Sequence, residues 1–182
     1  MSKKTIMLYT LCIGIGLMAI AYAAFTTTFN VSGTTSQIGT FGVQLTECWC
    51  RVGTGLEGAT APTGSCTPSG TNKSASATIT ATLNQPGDFV TCYFDVVNTG
   101  NLKAKPNGNP TCTPSSGITS SASSSGATPM YYEKYWEKNA LSGGATLADE
   151  IAIVIAYSSS ITSQPSATSG SVTCTFPYTQ DI

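Results

Sequence analysis

The chain contains no histidine, a single arginine (Arg51) and only 9% charged residues over 182 positions. Without histidine, the Ser-His-Asp and Cys-His arrangements of ordinary hydrolases and the H-E-x-x-H helix of zinc peptidases cannot be built. A nucleic-acid surface needs a basic stripe to displace counterions, and one arginine among so few cations does not make one. No cofactor motif, nucleophile elbow or phosphate loop is present. These absences point to a non-enzymatic protein with no cofactor and no nucleic-acid partner. Long disorder is also excluded, because 41% of the residues are hydrophobic and 9% aromatic.

What is present begins with an export signal. Lys3 and Lys4 form a positive start, residues 5 to 20 are apolar, and Ala21-Tyr22-Ala23 supplies the small residues of a signal-peptidase site. Cleavage is expected between Ala23 and Ala24, which makes residues 1–23 a signal peptide and signal peptidase a partner during export. The competing reading is an uncleaved anchor, since the run from Thr5 to Phe25 is long enough to cross a bilayer as a helix. Cleavage leaves about 159 residues with six basic and nine acidic side chains, enough for one domain with a real core.

Of seven cysteines, Cys12 lies in the apolar segment and six follow it: Cys48, Cys50, Cys66, Cys92, Cys112 and Cys174. An even number in an exported domain favours disulfides, with the pairing left open. Cys66 and Cys112 are expected to staple loops to strands, while Cys92 and Cys174 sit at inward strand positions where a buried thiol or a bond across the sandwich would fit, an inter-strand bond being the expectation. Cys48-Trp49-Cys50 can also ligate a soft metal, but without histidine the disulfide role is favoured and no metal site is assigned.

Alternation of apolar and hydroxyl residues marks strands throughout. Residues 24–33 place Phe25, Phe29 and Val31 on one face. Phe41, Val43 and Leu45 form a second strand, the run Ala77 to Leu83 a third, and Val90 to Val96 a fourth, bounded by turns at Pro86-Gly87-Asp88 and Asn98-Thr99-Gly100-Asn101. Ile151 to Tyr157 and Val172 to Tyr178 complete about seven short strands, an all-β antiparallel sandwich. Residues 51–74 and 106–128, rich in Gly, Ser, Thr and Pro, read as loops. Tyr131 to Leu141 carries Glu133, Lys134, Glu137 and Lys138 at spacings that suit one short helix.

Other candidates are weaker. Asp88, Asp95, Glu133, Glu137, Asp149 and Glu150 offer carboxylates for acid-base or calcium chemistry, but no spacing singles out either, and solvated turn carboxylates are the plainer reading. Asn30-Val31-Ser32 and Asn72-Lys73-Ser74 are glycosylation triplets of a kind that arises by chance in such a chain.

Three pieces together resemble the TasA/camelysin family of secreted biofilm-matrix fibre proteins: Ala21-Tyr22-Ala23-Ala24-Phe25, Leu83-Asn84-Gln85-Pro86-Gly87-Asp88-Phe89-Val90-Thr91, and Phe94-Asp95-Val96-Val97-Asn98-Thr99-Gly100-Asn101. The resemblance covers the export segment and residues 75–105, and more loosely the last strands. It implies a jelly-roll-like sandwich, preceded by the signal helix, that is released by a specialised signal peptidase and assembles into extracellular fibres. Six mature cysteines depart from the pattern, and no zinc-histidine peptidase site can exist here.

The domain organisation that follows is a signal peptide (1–23), an N-terminal strand (24–37) free to be donated to a neighbour, and a β-sandwich (38–182). A strand freed at one end can add to an open sheet edge of another copy, with Phe25, Phe29 and Val31 setting register. A contact of that head-to-tail kind does not close on itself, so the expected partner is the chain itself in a homopolymer, with other matrix proteins as further partners. The competing readings are a pilin-like subunit that keeps its apolar helix and a monomeric cell-surface binding module with Tyr131, Tyr132, Tyr135 and Trp136 as an aromatic platform.

Overall fold

The computed structural model describes residues 39–71, 74–120, 129–161 and 167–181. Ten strands and no helix are found among them: β1 (Val43–Gly53), β2 (Thr63–Thr71), β3 (Ser74–Leu83), β4 (Phe89–Asn98), β5 (Ala104–Pro106), β6 (Thr111–Pro114), β7 (Ile118–Thr119), β8 (Met130–Trp136), β9 (Thr146–Tyr157) and β10 (Thr168–Gln180). They form two sheets, β1-β4-β9-β8-β7 and β2-β3-β10-β5, with β6 also paired to β10. Every pairing is antiparallel except the short one between β7 and β8.

The core lies between the sheets and follows the period-2 pattern. Val90, Cys92, Phe94 and Val96 of β4 and Ile151, Ile153, Ile155 and Tyr157 of β9 point inward, against Ala75, Ala77, Ile79, Ala81 and Leu83 of β3 and Val172, Cys174 and Phe176 of β10. β3 supplies mostly alanine while β4 and β9 supply large side chains, so bulk from one sheet fills room left by the other. Each fully buried isoleucine of β9 contributes about 2 kcal/mol of transfer free energy. The opposite face of β3 and β10 is hydroxyl-rich, and its cross-strand pairs Ser76–Thr175, Thr78–Thr173 and Thr82–Ser169 are hydrogen-bonded at 3.1, 2.9 and 2.8 Å.

Both ends of β4 are fixed by a buried polar side chain. Asp88, fully buried in the Pro86-Gly87-Asp88 turn, accepts the backbone N–H groups of Asn84 (2.8 Å), Gln85 (3.1 Å) and Gly55 (3.0 Å). Gly87 adopts φ 88°, a conformation open to glycine at little cost. At the other end Asn98 donates Nδ2 to the carbonyls of Leu102 (2.7 Å), Leu141 (3.3 Å) and Ser142 (3.2 Å) and accepts the Gly100 N–H (3.0 Å). The two turn motifs noted in the sequence are therefore caps, and Asp88 is a buried acceptor rather than a solvated carboxylate.

Three expectations are corrected. The stretch Tyr131 to Leu141 opens with strand β8, not a helix: Met130 and Tyr132 go inward, and Tyr135 donates its hydroxyl to Glu133 two residues back on the same face (2.6 Å). Strand propensity of the tyrosines outweighs the charge spacing. Residues 51–74 carry the end of β1 and all of β2. There Thr63, Ser65, Thr67 and Ser69 lie opposite Thr82, Thr80, Thr78 and Ser76, while a Cβ on Gly64 would collide with Val90 of β4. Glycine and proline in β2 thus reflect close approach and an edge position, not a loop. Residues 106–128 likewise contain β6 and β7. The five strands read from residues 41–178 are present.

Candidate functional site

Ala23, Ala24, Phe25, Phe29, Val31, Asn30 and Asn72, with the signal peptide and the N-terminal strand, lie outside the described residues. All six remaining cysteines are placed, in three disulfides: Cys48–Cys66, Cys50–Cys92 and Cys112–Cys174. Cys66 and Cys112 are bonded to strands as expected, but from strands β2 and β6 rather than from loops. Cys92 and Cys174 do not cross the sandwich. Each bonds to the residue directly opposite in its own sheet, Cys50 on β1 and Cys112 on β6, with Cα atoms 4.0 Å apart in both cases. The crossing bond is Cys48–Cys66, from β1 of one sheet to β2 of the other over a Cα separation of 6.2 Å.

A bulge brings the first two disulfides together. Between Leu45 and Cys48 the β1–β4 register slips by one residue, so after inward Leu45 the inward positions become Cys48 and Cys50. The sulfurs of Cys50, Cys66 and Cys92 lie within 4.8 Å of one another, and Cys48 is bonded to Cys66. Four sulfurs thus meet at one junction.

On the outer face of the first sheet the register aligns Trp49, Tyr93, Ala152 and Tyr135 across β1, β4, β9 and β8. Trp49 and Tyr93 stack at 4.4 Å with planes 20° apart, and the Trp49 Nε1–H donates to Asp149 Oδ1 at 2.9 Å. A second register shift in β9, at Asp149 (φ 52°), faces Asp95, whose Oδ1 accepts the Asp149 N–H at 2.9 Å. Between Tyr93 and Tyr135 runs an open groove of about 350 Å³, floored by Ala152 and Val154 and rimmed by Glu137, Asp149 and Glu150. Glu150 is 2% exposed and accepts the Asn139 N–H (2.7 Å) and Nδ2 (2.9 Å), so it too is not a solvated carboxylate. The hydrogen bond to Glu133, with its negative charge, raises the Tyr135 pKa above 10.0.

The four aromatics of β8 do not form one platform. Tyr135 is 56% exposed, whereas Tyr132 is buried and Trp136 turns inward, edge-on to Phe176 and Tyr178, with its Nε1–H donating to Tyr178 Oη at 3.0 Å. Burial raises the Tyr178 pKa, against a smaller opposing effect of that hydrogen bond. Trp49 (51% exposed) and Tyr93 take the vacated part of the platform. Outward alternation in Thr91-Cys92-Tyr93 hinted at Tyr93, but the Trp49 partnership depends on the bulge.

The sheet edges differ in kind. β1 and β2 lie against each other, joined by Cys48–Cys66, and β2 carries Pro68, which cannot donate to an added strand. On the other side β7 pairs only with Met130 and Tyr131, and no described residue pairs with Tyr132 to Trp136 on that side of β8. A groove of about 290 Å³ lies there, lined by Ser120 and Tyr132 to Tyr135.

No protein-family profile matches the chain, and neither the characterised proteins nor the solved structures contain a match to it.

Proposed function

We propose that this chain is an exported, non-enzymatic structural protein. Its copies join head to tail into an extracellular filament or matrix fibre, by addition of the N-terminal strand of one copy to an open sheet edge of the next. The observation that carries this reading is the β8 edge. On the side away from β9, Tyr132 to Trp136 lack a described partner beside a groove of about 290 Å³, and an extended strand satisfies such an edge through its main chain. The donor is the segment 24–37 released by cleavage after Ala23, with Phe25, Phe29 and Val31 on its apolar face. The jelly-roll-like winding, the cell-surface location and kinship with the TasA/camelysin fibre proteins belong to the same proposal, supported by the turn motifs around Asp88 and Asn98.

A chain beginning at Ala24 is expected to form filaments visible by negative-stain electron microscopy at high concentration, and one lacking residues 24–33 to stay monomeric. Monomers in both samples would reject the proposal.

A second reading is favoured by the Trp49–Tyr93–Tyr135 face: a surface module that binds a glycan or protein on exposed aromatics. Ligand binding lost in Tyr135→Ala with the fold intact, in a chain that does not polymerise, would select it.

A further inference from the structure

The junction of β1, β2 and β4 holds more sulfur chemistry than two crosslinks require. Cys48 and Cys50 stand two residues apart on one face of β1, Cys92 is opposite Cys50 on β4, and Cys66 reaches in from β2 of the other sheet. The sulfurs of Cys50, Cys66 and Cys92 are within 4.8 Å of one another, and the fourth, Cys48, adjoins Cys66. A tetrahedral thiolate site with metal–sulfur bonds of about 2.3 Å places its sulfurs about 3.8 Å apart. On reduction the bonded pairs Cys50–Cys92 and Cys48–Cys66 open to that spacing while the non-bonded sulfurs of the cluster, at most 4.8 Å apart, close to it, each sulfur moving by about 1 Å, within the reach of side-chain rotation.

We propose that in its reduced form this junction is a four-thiolate site for one soft, filled-shell divalent cation, Zn²⁺ or Cd²⁺, with Cys48, Cys50, Cys66 and Cys92 as ligands. The metal and the two disulfides are alternative occupants of the same four sulfurs. Cys48, Cys50 and Cys66 are only half-buried, which gives the ion a way in, while fully buried Cys92 closes the inner side. Four cysteines from three strands of two sheets would let the ion perform the clamping that Cys48–Cys66 performs when oxidised. Cys112 and Cys174 form an internal control: they are joined to each other on β6 and β10, with no third sulfur in the cluster, and two ligands do not complete a tetrahedron.

The redox step balances with a trialkylphosphine as reductant. Each phosphine cleaves one S–S bond, takes an oxygen atom from water to become the phosphine oxide, and leaves two thiols. Binding of the cation then displaces the four thiol protons, so affinity rises with pH.

The test uses the full chain, reduced with phosphine and titrated with Cd²⁺ and separately with Co²⁺. One ion per chain is expected, with thiolate-to-metal charge-transfer absorption and the visible bands of tetrahedral Co²⁺. Alkylation of the Cd²⁺-loaded chain is expected to spare Cys48, Cys50, Cys66 and Cys92 and to modify Cys12, Cys112 and Cys174. Cys92→Ser should weaken binding about tenfold or more, and the double variant Cys112→Ser, Cys174→Ser should leave it unchanged. Circular dichroism of the reduced chain before metal addition guards against binding by a chain that has lost its fold, and loss of the β signal there would also overturn the proposal. Absence of stoichiometric binding, protection of a set that includes Cys112 or Cys174, or unaltered affinity in Cys92→Ser would each overturn the proposal.

Discussion

The two lateral sides of the sandwich manage their sheet edges differently. Where β1 and β2 meet, the sheets are joined by Cys48–Cys66, β1 is tied again to β4 by Cys50–Cys92, and Pro68 blunts the β2 edge. On the far side, among the described residues, the 13-residue β10 is covered only by the short strands β5 and β6, and the 7-residue β8 only by the two residues of β7. A protein that had to avoid all strand addition would blunt both sides. Among the described residues such protection is found on one side, which is the asymmetry the proposed open-ended assembly would use.

Removing covalent support tests that contrast most strongly. Cys112→Ser with Cys174→Ser opens a 62-residue separation and is expected to cost about 4 kcal/mol in urea unfolding. Cys48→Ser with Cys66→Ser, across 18 residues, is expected to cost about 3 kcal/mol and also to expose the β1 and β2 edges, seen as irregular aggregation by light scattering. Asn98→Ala takes the side-chain partner from the Leu102 carbonyl and the Gly100 N–H, while the Leu141 and Ser142 carbonyls keep the N–H groups of Ala104 and Ala145, and should lower stability by about 2 kcal/mol in the same assay, independent of either side.

Smaller effects come from titration. Tyr178, near the open side, holds its phenol proton more tightly in the folded chain than in the unfolded one. Its contribution is complete below pH 10.0 and is lost as pH rises above that value, so Tyr178→Phe should flatten the alkaline fall in melting temperature. The smallest effect is expected at Asp181, whose carboxyl is held below its usual 3.8 by hydrogen bonds from Lys103 and Lys105. Its contribution is present above that value and fades as pH falls through the lowered one. Because both ion pairs lie at the surface, with exposed lysines, Asp181→Asn should leave the neutral-pH melting curve unchanged within error.

Strands β3, β4 and β10 were legible in the sequence because apolar inward residues alternate with more polar outward ones, and β9 because it is a nearly continuous run rich in isoleucine. β2 was hidden because its inward positions are Gly64, Cys66, Pro68 and Gly70, which read as punctuation when the neighbouring strand is unseen. β8 was hidden by Glu133, Lys134, Glu137 and Lys138, whose spacing fits a helical turn as well as a strand with one wet face. Six cysteines announced crosslinking, but their partners follow from strand register. That register includes a one-residue slip after Leu45 which leaves no mark in composition. The same slip sets Trp49 beside Tyr93, so half of the outer aromatic face could not be read from spacing alone.

The central claim is that the open side accepts a strand. It is tested most directly by amide hydrogen exchange of a chain lacking residues 24–33, with and without a peptide of residues 24–37. Slower exchange at Tyr132 to Trp136 on peptide addition, with β1 and β2 unchanged, is the expected result. Protection at the β1 or β2 edge, or none anywhere, would contradict the account.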